Sequence, residues 1–476
     1  MAIPTVDQIH ALATPIMAIF GVPGLGVAVV RGDECLALGL GVCDTNSGRA
    51  VDADTTFQLA SCSKAYTATS AAVLADAGAL AWDDPVRKHL PEFHMHDERL
   101  SSLATLRDLL SMRLGYANQG IVNWGRNPEL GIEVIFERLR HLEVIAGFRE
   151  LFTYLNPAYT LMAEVIARAT GKPFADHLRD AVCLPLGQTR TFIQEGRLHP
   201  TAPHAFPHVD LGTGVEPLGM AYCGGKLGES CVYSSPNDAV AWLRLHLGCG
   251  EMGGRRLVSH AAMAELHRSH VYGAPAPALD NHFLSYAMGW QRRDTPYGPV
   301  LLHEGMEFGI STFTIMDVLR NSGVAVYANF GAAPAVKGIG YGLIDVLAGR
   351  EPRAWADLFE RLTAEDMRTV QTANDALLAR NAQPAPSINE IVGSYFHPAN
   401  GTIDIVEGQG VLDVRVRDGW VYDATLASLG DNLFGGPYRF AGMQALRRQG
   451  MRLRVFRDQH GLAIHAPGLG MARKVA

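Results

Sequence analysis

Ser61-Cys62-Ser63-Lys64 opens an alanine-rich stretch that carries no glycine or proline as far as Ala77 and stops at Gly78. This composition predicts a helix over residues 61–77, with Gly78 just past its end. Residues three apart share a helix face, so the Ser61 hydroxyl and the Lys64 amine are expected to be neighbours. First-turn N–H groups lack an intrahelical partner and carry the positive end of the helix dipole, which favours an oxyanion forming beside Ser61. On the tetrad alone the plainer reading is that Ser61 caps the helix.

Upstream, Val22-Pro23-Gly24 reads as a turn, and Leu25 to Val30 as a β-branched strand ending in a hairpin at Arg31-Gly32. A second strand, Cys35 to Val42, is expected to pair with it. Ala11 to Val30 is apolar, but Pro15, Gly21, Pro23, Gly24 and Gly26 interrupt it, and no helix is expected there. No Lys or Arg precedes Arg31, so the basic region of an export signal is missing and a cytoplasmic protein is expected. Gly21 to Gly26 looks like a nucleotide loop but precedes a strand instead of opening a helix after one, which excludes the dinucleotide reading.

Downstream, short amphipathic helices such as Ala158 to Thr170, ending at Gly171, alternate with loops rich in Gly, Pro and His as far as about residue 290. Strand patterning returns at Ser311 to Met316 and Val324 to Asn329. Sheet segments from both ends of the first 350 residues thus flank a helical middle, which suggests an α/β sandwich with a helical insertion. Trp355, Leu358, Phe359 and Leu362 stand at helical spacing, and Gln383-Pro384-Ala385-Pro386-Ser387 reads as a linker. Alternating segments follow (Gly401 to Val406, Val411 to Val416, Met451 to Phe456, Gly461 to His465), the pattern of a small antiparallel barrel or sandwich. The expected organisation is a domain over 1–350, a helical linker over 351–386 and a β-barrel over 387–476.

The chain has 476 residues, 48% hydrophobic and 19% charged, with a formal net charge of −7. That balance is too hydrophobic for disorder and offers no basic surface for nucleic acid or anionic lipid. Seven cysteines (Cys35, Cys43, Cys62, Cys183, Cys223, Cys231, Cys249) form no C-x-x-C pair and read as reduced thiols. His94 with His96, and His199 with His204 and His208, raise the question of zinc. Pro200, Pro203 and Pro207 keep the second set off one helix face, so these are read as surface loop histidines and no metal or other cofactor is expected. No G-x-S-x-G elbow is present, which argues against an α/β-hydrolase.

Two further stretches carry chemistry. Tyr154-Leu155-Asn156 precedes Pro157 and a helix. Asn156 could simply be its N-cap, or Tyr154 could offer a phenol and Asn156 an amide to a buried polar site. A serine hydroxyl needs a base, and Lys or Tyr, with ordinary pKa values of roughly 10, serves near neutral pH only when charge and desolvation shift it. A Lys and a Tyr side by side are expected to shift each other. His303-Glu304-Gly305 is followed by Gly309 and the strand from Ser311, and Gly305 lets another backbone approach closely.

In the order S-x-x-K, Y-x-N, H-x-G, at 61, 154 and 303, these motifs resemble those of the penicillin-recognising serine hydrolases: class C β-lactamases, DD-peptidases, D-aminopeptidases and related esterases. Flanking stretches are similar too: Phe57-Gln58-Leu59-Ala60 before the nucleophile, Gly171-Lys172-Pro173-Phe174, and Leu184-Pro185-Leu186-Gly187. The likeness spans roughly residues 10 to 350, and the tail from about 387 resembles the lipocalin-like barrel appended to some members. The resemblance implies a β-lactamase/penicillin-binding-protein-like sandwich with an antiparallel sheet and a helical insertion. It also implies that Ser61 is acylated, that Lys64 and Tyr154 relay its proton, and that Asn156 binds the substrate amide. The oxyanion would lie between the N–H groups of Ser61 and of Met306, just past Gly305.

At the third motif, His303-Glu304-Gly305 replaces the Lys-Thr-Gly of the β-lactamases. A permanent cation and a hydroxyl become a titratable imidazole and an acid, so His303 joins the catalytic set, recognition of penicillin-like carboxylates should weaken, and Glu304 could favour a substrate amine. The expected activity is an acyl-enzyme hydrolase of amides, short D-residue-containing peptides or small esters. A peptide-cyclising thioesterase and a non-catalytic ligand sensor are the alternatives. The expected partner is a small-molecule or peptide substrate, with no nucleic acid and no membrane; the barrel either walls the cleft or mediates a homodimer.

Overall fold

The computed structural model describes residues 3–118, 131–193, 203–210, 214–218, 227–274, 283–295, 298–307, 309–379, 387–408, 411–416, 422–430, 432–436, 438–440, 451–466 and 470–475. The chain begins with a helix, α1 (Val6–Phe20), then a hairpin of β1 (Gly24–Arg31) and β2 (Glu34–Gly41). Among the described residues, α2 (Ser63–Asp76), α3 (Asn156–Thr170) and α4 (Pro236–Leu247) are the longest helices of the middle region. Strands β3 (Val271–Gly273), β4 (Leu284–Tyr286), β5 (Gln291–Thr295), β6 (Gly298–Glu307), β7 (Ile310–Asp317) and β8 (Ser322–Ala328) follow, then α5 (Ala333–Leu347) and α6 (Trp355–Ala379).

These strands form one eight-stranded antiparallel sheet in the order β3-β4-β5-β6-β7-β8-β1-β2. The first strand therefore sits inside the sheet, with Leu25 opposite Ala328 on β8 and Leu40 on β2. Its alternation explains why: Leu25, Val27 and Val29 enter one core, while Ala28 and Val30 enter the other. A strand with both faces covered reads as an unbroken apolar run. Helices α1, α5 and α6 cover the first face, and α4 with the helical middle region covers the second.

The start of the chain departs from expectation. A helix does form through Pro15, between a Thr5–Gln8 capping box and Gly21, which adopts a left-handed φ of 66°. An internal proline costs about 3 kcal/mol. Burial of Ile9, Ala13 and Met17 against the sheet offsets it, at about 1.5–3 kcal/mol for each large side chain. The segment expected as a linker helix also begins inside the first domain. Trp355, Ala356 and Phe359 are buried, and the Trp355 indole donates to Asp345 Oδ2 at 2.6 Å. Linker residues 383–386 lie outside the described residues, as do Cys223 and His199.

The C-terminal strands are β9 (Gly393–His397), β10 (Gly401–Glu407), β11 (Leu412–Val416), β12 (Tyr422–Gly430), β13 (Leu433–Gly436), β14 (Tyr438–Phe440), β15 (Met451–Asp458), β16 (Gly461–Ala466) and β17 (Gly470–Lys474). They run β11-β10-β9-β17-β16-β15-β13-β12, and pairing of β11 with β12 closes eight strands into an antiparallel barrel, with β14 added on β12. Inward-facing Tyr395, Ile403, Ile405, Val414, Leu453 and Ile464 fill it. Ala399, in the β9–β10 turn, is buried with the core of the helical middle region. Among the described residues no helix is long and apolar enough to cross a membrane.

Cys35, Cys43, Cys62, Cys183 and Cys249 are free thiols. His204 and His208, expected on the surface, are buried. His208 Nδ1 donates to Asn329 O at 3.1 Å, and its Nε2 accepts from Thr45 N at 3.2 Å. Both imidazole nitrogens of His208 thus satisfy backbone groups.

Candidate active site

Ser61 lies in a single 3-10 turn, Ala60–Cys62, that leads directly into α2. It is not the helix cap: Cys62 holds that position, without a side-chain bond. Ala60, immediately before Ser61, has a φ of 47°, a left-handed conformation that costs a residue with a β-carbon about 1–2 kcal/mol. The surroundings hold it there. Leu59 N donates to Val232 O at 2.8 Å, Thr312 Oγ1 on β7 donates to Leu59 O at 2.7 Å, and Val232 N donates to Ser63 Oγ at 3.0 Å. Ser61 itself keeps partial exposure, so a carbonyl can reach it.

Lys64 is fully buried, yet its amine is solvated by protein. Nζ donates to Ser61 Oγ at 3.0 Å and to Glu229 O at 2.9 Å. It also stands 5.0 Å from the ring centroid of Tyr154 and 5.8 Å from that of Tyr159, where aromatic faces favour a cation. Tyr154 arrives from the extended segment before α3 and sets its ring against the Lys64 amine, with its phenol toward Ser61. Two of the three stretches singled out in the sequence, those of Lys64 and Tyr154, thus converge on one hydroxyl.

The expected mutual adjustment of Lys64 and Tyr154 fails for the phenol. Burial pushes Tyr154 well above the ordinary tyrosine range, against the opposing effect of its Ser61 hydrogen bond. Desolvation penalises the phenolate more than its neighbours favour it, so Tyr154 is a neutral phenol in the free protein. Cys62, beside the nucleophile, is pushed up to about 11 by burial and is no competing nucleophile.

Asn156 is the first residue of α3 and not its cap, which is Leu155. Its backbone N–H donates to Asn118 Oδ1 at 3.1 Å. Its side-chain Oδ1 is buried and has no hydrogen-bond partner among the described residues, so the amide is unspent.

Strand β6 forms the opposite wall. Its pairing with β5 ends at Leu302, and from His303 onward it passes against the nucleophile turn. Cys62 Sγ donates to His303 O at 3.3 Å, and a β-carbon on Gly305 would lie 3.0 Å from Ser61 N. Met306 follows with its side chain 67% exposed.

His303 is buried, with its ring centroid 6.4 Å from that of Tyr154. Nδ1 bonds Glu304 O at 2.8 Å and Nε2 meets the Tyr286 hydroxyl at 3.0 Å. Burial, reinforced by the charge of Lys64, holds its pKa down at about 4. The third motif therefore presents a neutral imidazole.

Glu304, expected to face a substrate amine, is turned to the other side of the sheet. Successive strand residues point to opposite faces, and with His303 at the cleft Glu304 must point toward α5. There its Oε2 lies 2.6 Å from Lys337 Nζ, and Oε1 lies 3.9 Å from Arg293. Burial acts to raise its pKa, but those two cations outweigh it and hold the carboxyl below the ordinary range.

Sequence reading missed Glu229 and Tyr286. Glu229 is buried, supplies the carbonyl that Lys64 contacts, and accepts from Thr160 Oγ1 at 3.2 Å. Neither belongs to a short motif, and no spacing signal marks them.

Comparison with known proteins agrees with the fold. The family model described as Beta-lactamase matches residues 9–347. Penicillin-binding protein 4 of Amycolatopsis lactamdurans is 29% identical over 330 residues, 66% of this chain and 82% of its own. Unguisins hydrolase ungD' of Aspergillus campestris is 23% identical over 406 residues, 81% of this chain and 74% of its own. The octameric penicillin-binding protein homologue from Pyrococcus abyssi superposes with a TM-score of 0.67 at 17% identity, over 99% of this chain and 100% of that one. At that identity the likeness speaks for the fold alone.

Proposed function

We propose, on the premise that this chain belongs to the beta-lactamase family of serine hydrolases, that it acts through an acyl-Ser61 intermediate on amides, short peptides or small esters. The observation that carries the reading is the 3.0 Å contact from Lys64 Nζ to Ser61 Oγ, with the Tyr154 phenol on the same hydroxyl.

In this mechanism the Ser61 oxygen attacks the substrate carbonyl while its proton passes through Lys64 and Tyr154 to the leaving atom. Tyr154, neutral at rest, gives its own proton to the leaving nitrogen or oxygen and regains one by way of Lys64. The backbone N–H groups of Ser61 and Met306 receive the oxyanion, a role supported by the close passage of β6 over the nucleophile turn. Asn156 offers its unspent amide to the substrate. In the second half, an acceptor enters on the leaving-group side, returns a proton through the same pair and frees Ser61.

Hydrolysis is supported by the name of one relative, a hydrolase of unguisins. The test is labelling with a fluorophosphonate and turnover of a panel: D- and L-aminoacyl amides, short-chain p-nitrophenyl esters, a cephalosporin and a peptidyl thioester. Labelling and turnover that vanish in Ser61→Ala support the proposal. A wild type that neither labels nor turns over any panel member sinks it.

A further inference from the structure

One buried pair beside the site has no part in the proton path: Tyr286 on β4 and His303 on β6. Tyr286 is 0% exposed and His303 1%. The carbonyl of Glu304 can only accept, so the hydrogen of the 2.8 Å contact belongs to His303 Nδ1. That leaves Nε2 with a lone pair that the Tyr286 hydroxyl, 3.0 Å away, can fill as donor; Tyr159, whose own hydrogen goes to Leu110 O at 2.5 Å, is the competing acceptor that faces the same hydroxyl. Phe152 stacks on the Tyr286 ring at 4.7 Å between centroids and 10° between planes, which fixes the direction of the hydroxyl.

The charged and titratable groups around the imidazole oppose a second proton. Lys64 comes from α2 and Arg293 from β5, and both charges act against protonation; Tyr154 and Tyr286 are neutral phenols. Glu304 is the one neighbour that favours it, and its carboxylate is engaged by Lys337 on the far face of the sheet. Both ring nitrogens are thus spent inside the protein, and His303 offers a substrate neither a charge nor a free N–H.

We propose that Tyr286 is a positioning residue that locks His303 as a neutral imidazole bonded to its own backbone, and that this lock selects substrates lacking a carboxylate beside the scissile bond. The selection rests on the acyl-Ser61 reading above; the lock does not. A site whose nearest cation among the described residues, Lys64, is already committed to Ser61 and Glu229 O leaves an incoming carboxylate desolvated and without that partner, which is costly.

The experiment has two arms. In the first, histidine ¹⁵N resonances are followed in wild type and Tyr286→Phe, with His303 identified by the signals lost in His303→Asn. Wild-type His303 is expected to stay neutral with the proton on Nδ1 from about pH 5.5 to about pH 8.5, and in Tyr286→Phe to take up a second proton within that range. In the second, kcat/KM is measured for two p-nitrophenyl esters that differ only in bearing a free carboxylate or its primary amide on the acyl carbon next to the carbonyl.

Wild type should favour the amide by at least about tenfold at every pH tested. In Tyr286→Phe that preference should shrink as pH falls, and in His303→Lys it should shrink by at least about fivefold throughout. A wild-type His303 that titrates in this range or carries its proton on Nε2 overturns the lock, as does a Tyr286→Phe variant with unchanged resonances. A wild type indifferent to the carboxylate overturns the selection. If neither ester reacts, the acyl-serine reading fails, while the resonances still decide the lock.

Discussion

Gly305 and Ser61 meet backbone to backbone. A β-carbon on Gly305 would stand 3.0 Å from Ser61 N, 2.4 Å from Leu59 O and 2.3 Å from Thr312 Oγ1. The first of these atoms is a proposed oxyanion donor, and the other two hold the strained turn that presents Ser61. Gly305→Ala is therefore expected to push β6 off the nucleophile and lower kcat/KM by about 10²-fold, since a displacement of roughly 1 Å is enough for that. Ester turnover and a crystal structure of the variant check this; alanine tolerated at wild-type rates would mean that the strand does not shape the oxyanion site.

Lys64 is a buried amine whose described partners include one hydroxyl and one carbonyl. Lys64→Met keeps the length of the side chain and removes the charge. Acylation should fall by about 10³-fold or more, while the melting temperature holds or rises, because a buried charge is replaced by an apolar chain. Burst kinetics and calorimetry on the same sample separate the two effects. A variant that loses both together would assign Lys64 a structural role.

Buried histidines set an acid limit on stability. Burial holds His267 at about 4 and His270 at about 3, and pushes His246, whose Nδ1 is 2.9 Å from His267 Nε2, well below the ordinary range. His303, at about 4, belongs with them. In the unfolded chain each binds a proton near pH 6.5, so below that value the unfolded state holds more protons than the folded one and is favoured as pH drops. The melting temperature is expected to fall steadily from about pH 6.5 toward about pH 4. His267→Gln should flatten that slope, and an unchanged slope would remove the pair as its cause.

Buried tyrosines act at the other end. Burial raises Tyr66, Tyr154, Tyr286 and Tyr327 above the usual range, so on alkalinisation the unfolded chain loses phenolic protons first and gains in stability relative to the fold. Stability should be full below about pH 10 and decline above it. Thermal unfolding followed from neutral pH upward measures this.

Trp355 ties α6 to the first domain. Its indole is 7% exposed and bonded to Asp345, and its ring packs 4.9 Å from that of Tyr341. Trp355→Ala should cost about 3–5 kcal/mol. A chain ending at residue 350 should accordingly melt lower than one ending at 379. Equal melting temperatures would restore the reading of 351–379 as a mere connector.

Read alone, the chain already displays the S-x-x-K tetrad at 61, the companion motifs at 154 and 303, the strands that return to pair with β1, and the alternating segments of the barrel. Those are local patterns: a serine and a lysine three apart share a helix face whatever surrounds them, and alternation of apolar residues marks a strand wherever it is placed. Tertiary structure alone decided what depends on neighbours distant in sequence. Packing of Ile9 and Met17 carried a helix through Pro15. The covering of one sheet face by α5 drew Glu304 to Lys337 and away from the cleft. Burial kept Tyr154 a phenol, and Tyr286 together with the Glu304 carbonyl consumed both nitrogens of His303. Protonation and side-chain direction follow from solvent exclusion and partner geometry, and neither exists until the chain has closed around the site.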